Sequence, residues 1–141
     1  MSADYFAIQN QLARFARALD QRDWAAVPTI FAADVGFDYG EGERQGLEAL
    51  CAQFRRYLDQ CGPTQHLLGS LWLEVNGETA QSRAYVQARH QGTGARARLL
   101  FDSHGDYHDR WEKRGATWLI VRRDVHWLIQ CGDPAVIGFG A

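Results

Sequence analysis

The sequence predicts an α+β fold, with helices gathered at the N-terminal end and a mostly antiparallel sheet after them. Three observations carry that expectation. Up to about residue 60, apolar residues recur every three or four positions; beyond it they alternate and are broken by turn residues. "VNGE" (75–78) then places Asn-Gly, the strongest short hairpin signal, between two alternating runs. "KRGAT" (113–117) repeats the device with a single glycine. Consecutive hairpins imply long strands in a curved sheet, and the separation of helices from strands excludes a doubly wound fold.

The elements follow in order. Tyr5, Ile8, Leu12, Phe15 and Leu19 form one apolar stripe, which predicts a first amphipathic helix. Asp23 reads as the N-cap of a second helix over "DWAAVPTIFAA", short or kinked because Pro28 lies too deep for a first-turn proline. "DVGFDYGEGERQG" reads as a short strand, a glycine-rich turn and a return. "GLEALCAQFRRYLDQCG" predicts a third helix, with Leu47, Leu50, Phe54 and Leu58 on one side and Gly62 as its stop. Four strands are expected at 64–76, 79–91, 96–114 and 116–129, the last bulged around Arg122–Arg123. No repeat, linker or low-complexity stretch interrupts 1–141, so one domain is expected.

Bulk composition narrows the functional classes. With 46% hydrophobic residues in 141, the chain has enough apolar material for a core, so disorder is not expected. A formal charge of −2 with intermixed signs leaves no nucleic-acid footprint. No apolar run approaches the ~20 residues of a membrane span, and "MSADYFAIQNQLARFARALDQ" lacks a signal's basic and apolar regions. Cys51, Cys61 and Cys131 are odd in number and lack CxxC spacing, which points to reduced thiols, a cytoplasmic setting and no cysteine-built metal site.

The histidines can be placed by strand face. Ala80, Ser82, Ala84, Val86, Ala88 and His90 share one row of the 79–91 strand, small and mostly apolar, and therefore inward. Such a row either leaves room for a cavity or lets a helix approach closely. His66 shares its face with Thr64 and Leu68; an isolated histidine there is most simply one satisfied by a backbone carbonyl. Asp20 offers an alternative partner. It closes the first helix, where a carboxylate meets the negative end of the helix dipole. Either it is a solvated helix end, or it turns inward and holds an imidazole, which satisfies two buried polar groups at once. Tyr39, in "GFDYGEG", is either a rim aromatic or a phenol aimed at the same cavity. His104 and His108 lie roughly 13 Å apart along a strand, too far to share a metal. "GDYHDRWEKR" reads as a solvated outer face with Tyr107 and Trp111 on the inner one, and His126 as a polar interruption.

Taken in order, helix–"LDQRDW"–helix, "FDYG", "TQHLLGSLWLEVNGETA", "ARHQ" and "YHDRWEKRGATWLIVRRDVHW" resemble the SnoaL-like branch of the nuclear-transport-factor-2-like superfamily. Among named enzymes the similarity is greatest to scytalone dehydratase. The resemblance implies a cone-shaped α+β barrel: three N-terminal helices packed in a strongly curved, mostly antiparallel sheet that encloses a pocket. It also implies Asp20 as the catalytic acid partner, His66 as the base, His90 as a second histidine able to donate to a leaving group, and Tyr39 as the holder of a substrate carbonyl. Hexachlorocyclohexane dehydrochlorinase and bile-acid dehydratase use a similar Asp–His pair. Leu19, Phe15, Gly105 and Tyr107 stand where members of the family carry substrate-orienting polar groups, while the Asp–His pair is retained.

The function expected is a cofactor-independent lyase. His66 would remove a proton alpha to a carbonyl and a neighbouring hydroxyl or halide would leave. Phe15, Leu19, Phe54, Leu68 and Tyr107 would wall a pocket for a small hydrophobic cyclic or aromatic substrate. The alternatives are a ketosteroid-isomerase-like isomerase and a non-catalytic small-ligand-binding module. The resemblance also implies a homo-oligomer, dimer or trimer, with the outer sheet face or "CGDPAVIGFGA" as contact.

Overall fold

The computed structural model describes residues 2–139. Helix α1 spans Ala3–Gln21; the Ser2 side chain caps it by accepting from the Tyr5 N–H, and Arg22 ends it in the left-handed region at φ 56°. Its buried face carries Ile8, Leu12, Phe15 and Leu19, four of the five residues of the stripe. Tyr5 sits at the margin, half-buried.

The second helix departs from expectation. Only Trp24–Thr29 coils, as a 3-10 segment, and Asp23 makes no side-chain cap. Strand β1 begins at once, Phe31–Asp38. Pro28 removes a helical N–H, and Ile30 and Phe31 are wanted in the core, where both are fully buried. Ile120 N–H donates to the Ile30 carbonyl at 2.9 Å, tying the segment to the sheet instead. After the turn come β2 (Arg44–Gln45) and α2 (Leu47–Leu58). Gly62 is not the stop of α2, which ends at Leu58 against Asp59. Its glycine is required elsewhere: a Cβ at Gly62 would stand 2.6 Å from the Gly92 carbonyl oxygen.

Four long strands follow: β3 (Thr64–Asn76), β4 (Thr79–Gln91), β5 (Leu100–Arg114) and β6 (Thr117–Gly132). The first two match expectation residue for residue. β5 starts later than residue 96 because Gly94–Arg96 forms a 3-10 turn. The sheet order is β2-β1-β6-β5-β4-β3, antiparallel throughout except for the parallel β1–β6 pair. In β6, Arg110 pairs with Arg122 and Trp111 with Ile120, so the extra residue of the bulge is Val121, beside the expected position. The architecture is the expected α+β cone, left open between its edge strands β2 and β3. Helices α1 and α2 lie against the inner face, where Phe15, Phe31 and Phe54 meet with ring centroids 5.5 to 6.1 Å apart.

Candidate active site

The inward row of β3 brings His66 to the end of α1. Asp20, the next-to-last residue of α1, receives three donors: His66 Nδ1 at 2.7 Å, the His66 backbone N–H at 3.0 Å and the Thr64 hydroxyl at 2.9 Å. Burial by itself would raise the Asp20 pKa; the bonds from His66 and Thr64 outweigh it and hold the carboxyl below its usual range. The same donors offset the helix dipole, which disfavours a carboxylate at that end. Because a carboxylate only accepts, Nδ1 carries the imidazole proton, and Nε2, across the ring, keeps its lone pair.

Behind this pair stands Arg22. Its guanidinium donates to the carbonyls of Leu19 and Gly62 at 2.8 Å, of Leu58 at 3.0 Å, and to the Thr64 hydroxyl at 2.8 Å. The ends of both helices and the start of β3 are thus tied to one side chain. Reading by face could not find it, because its charge and its place after the helix suggest a solvated residue.

His90 lies on the inward row of β4, as expected, 5% exposed, with its ring edge-on to His66 at 5.7 Å between centroids. Its Nδ1 bonds the Phe101 carbonyl at 2.9 Å. A carbonyl only accepts, so Nδ1 holds the proton there too. Burial pushes the pKa down to about 4, against the smaller upward pull of that carbonyl, so the ring is neutral near pH 7. The remaining Nε2 is an acceptor. A neutral ring held in this way offers no proton at Nε2, so it does not match the expectation that His90 donates to a leaving group.

Both imidazoles border a cavity of about 600 Å³. Leu19, Tyr39, Phe54 and Tyr107 line it as expected, joined by Trp127. Phe15 and Leu68 do not. Phe15 lies deeper, with the Arg123 guanidinium 4.2 Å from its ring centre. Leu68 faces a second hollow of about 490 Å³ between α1 and β3, which Asp20 also lines. His66 borders both hollows, and Asp20 does not line the larger, so the carboxylate acts on the larger cavity only through the ring. Gly105 accounts for one departure from the family pattern. A Cβ there would come within 2.8 Å of the Trp127 ring, so the glycine makes room for that wall.

An unexpected ion pair underlies the cavity. Arg123 is fully buried and donates to both carboxylate oxygens of Asp109, at 2.7 and 2.8 Å, with its guanidinium 4.0 Å from the Tyr107 ring centre. Burial works against its charge, but the attraction of Asp109 holds the guanidinium protonated. Arg123 Nη1 also donates to the Tyr39 hydroxyl at 3.3 Å. That hydroxyl therefore keeps its own proton for the cavity, and burial holds its pKa above the ordinary tyrosine value. A signal existed in the sequence: Asp109 lies between Tyr107 and Trp111 on the inner row. The bulge at Val121 hid its partner by reversing the parity of β6. On the outer face His108 bonds Asp106 at 3.0 Å and its ring meets that of His126 at 4.8 Å, so His126 is more than a polar interruption. Among the described residues no group of three or more potential ligands is placed to hold a metal, and no helix is long and apolar enough to cross a membrane.

The SnoaL-like domain model matches residues 1–124. An uncharacterised protein of Mycobacterium tuberculosis, Rv2910c, is 27% identical over 125 residues, covering 86% of this chain and 83% of its own. A candidate scytalone dehydratase from Novosphingobium aromaticivorans superposes with a TM-score of 0.83 at 20% identity, over 92% of this chain and 87% of that one. The hexachlorocyclohexane dehydrochlorinase LinA-type3 of Novosphingobium barchaimii gives 0.80 at 16% identity, over 93% and 90%. At these identities the two structures are alike in fold.

Proposed function

The chain belongs to the SnoaL-like family, within the nuclear-transport-factor-2-like superfamily, and from that premise we propose that it is a cofactor-independent lyase acting on a small cyclic or aromatic hydroxycarbonyl compound. One observation carries the reading: the 2.7 Å bond between His66 Nδ1 and Asp20, which commits one nitrogen and leaves the other basic at the cavity wall. Two proteins of the same fold, a candidate dehydratase and a dehydrochlorinase, are named for eliminations.

In the proposed reaction His66 Nε2 takes the proton from the carbon beside the carbonyl. The electron pair moves onto the carbonyl oxygen, and the Tyr39 hydroxyl donates to that oxyanion. The enolate then re-forms its carbonyl as the carbon–oxygen bond beyond it breaks. The departing hydroxide takes back the proton from the His66 imidazolium and leaves as water, so base and ring return to their starting state. His90 Nε2, an acceptor, orients the leaving hydroxyl by its O–H until departure. Asp20 fixes the tautomer and stabilises the charged ring.

Incubation with a panel of cyclic β-hydroxyketones, followed by mass analysis of the products, tests the proposal. Loss of one water with formation of the conjugated enone supports it. Conserved mass with a moved double bond identifies an isomerase instead. Binding without any product identifies a ligand-binding module.

A further inference from the structure

The helical wall of the main cavity carries two polar groups that the elimination does not use. Gln53 is 3% exposed, and Tyr57 lies one turn further along α2, so both project from one side of that helix. Both line the cavity. Among the described residues, Gln53 Nε2 and the Tyr57 hydroxyl are buried without a hydrogen-bond partner. Buried polar groups are nearly always paired, and an unpaired donor is costly enough that each one calls for an explanation. Neither serves the fold: Phe54 and Leu58 supply the apolar packing of that face, and Tyr57 stacks on Phe139 by its ring alone, at 5.3 Å.

We infer that Gln53 and Tyr57 form a recognition subsite for a neutral oxygen acceptor at the far end of the substrate, a carbonyl or ether oxygen distinct from the one at the reacting carbon. The donor chemistry decides the ligand class. An amide Nε2 only donates, a hydroxyl can donate, and one carbonyl oxygen has two lone pairs to receive them. The sheet wall is complementary, since His66 and His90 each present a bare nitrogen that accepts from a hydroxyl. The cavity is therefore polarised, donors on α2 and acceptors on β3 and β4, with aromatic rings between. A flat ring system carrying a hydroxyl at one end and a carbonyl at the other satisfies both walls, while a hydrocarbon of the same shape leaves the α2 donors unpaired. This subsite shares with the elimination reading the placement of substrate in the main cavity, but not the chemistry.

The test is calorimetric binding of a matched pair, 6-acetyl-2-naphthol and 6-ethyl-2-naphthol, which differ only by the distal carbonyl oxygen. The wild-type protein is expected to prefer the acetyl compound by about tenfold or more. The double substitution Gln53→Met with Tyr57→Phe is expected to reduce that preference to less than about twofold, with Tm unchanged or raised because no internal bond is lost. Equal affinity of the wild type for the two naphthols overturns the subsite, as does a preference that survives the double substitution. A fall of several degrees in Tm overturns it whichever probe binds, since the groups would then serve the fold. Binding is read without turnover, so loss of this subsite leaves the elimination untouched, and an inactive protein leaves the subsite standing.

Discussion

Arg22 donates to the Thr64 hydroxyl at 2.8 Å, and that single bond decides where the Thr64 proton goes. A guanidinium has no acceptor, so the hydroxyl must accept from it and spend its one proton on Asp20, 2.9 Å away. A residue remote from the cavity thereby directs one of the donors that hold the carboxylate of Asp20 in place.

Thr64→Val should break this chain while keeping the shape. Asp20 loses one of the donors that depress its pKa, so its protonation shifts to higher pH. The expected outcome is a drop of roughly fivefold in kcat, from the loss of about 1 kcal/mol, with the acid limb of the rate profile displaced upward. Thr64→Ser should restore both. An unmoved acid limb in the valine variant would separate Thr64 from the site.

Arg123 and Asp109 answer each other in the core, so removing one should cost far more than removing both. Arg123→Leu leaves a buried carboxylate without its partner and is expected to destabilise by about 3–5 kcal/mol. The double variant Arg123→Leu with Asp109→Leu should recover most of that loss. Urea unfolding of the three proteins measures the coupling directly. Equal losses from the single and double variants would contradict a paired charge.

Stability should also depend on pH through His90. Its folded pKa is about 4, below the 6.5 of the unfolded chain, so on acidification the unfolded chain takes up the proton first. The contribution is complete above pH 6.5, declines as pH falls from 6.5 to about 4, and levels off below that, amounting to about 3 kcal/mol at most. Denaturant titrations at pH 7 and 4.5 on the wild type and on His90→Gln isolate it. The wild type should lose more stability than the variant over that interval; parallel losses would contradict a neutral buried ring.

Gly105→Ala tests the cavity wall. The added methyl would meet the Trp127 ring at 2.8 Å and the His126 carbonyl oxygen at 2.9 Å, and the carbonyl, as backbone, cannot swing away. A destabilisation of about 1–3 kcal/mol is expected, with altered tryptophan fluorescence. Wild-type stability and an unchanged spectrum would show that the wall has slack.

What could be read in advance was what obeys a strict period. β4 alternates without a break, so its inward row, His90 included, followed from parity alone. His66 stood out as an imidazole in a mostly aliphatic strand, and Asp20 as a carboxylate closing a helix at the negative end of its dipole. The failures have physical causes too. Ile30 and Phe31 suit a helical stripe as well as a strand, and only pairing with β6 decides between them. Arg123 was hidden by one inserted residue, Val121, and by the prior that charged residues face water. Gln53 lies next to the apolar stripe of α2, and nothing in the spacing singles it out. Only the packed helix shows that its amide has no partner.

The most direct measurement is turnover of a cyclic β-hydroxyketone by His66→Ala, Asp20→Asn and their combination, each verified as folded by circular dichroism. If His66 is the base and Asp20 acts through it, each single change should lower kcat by about 10²–10⁴-fold, and the pair together should cost no more than the worse single. A His66→Ala protein that still expels water at the wild-type rate would contradict it.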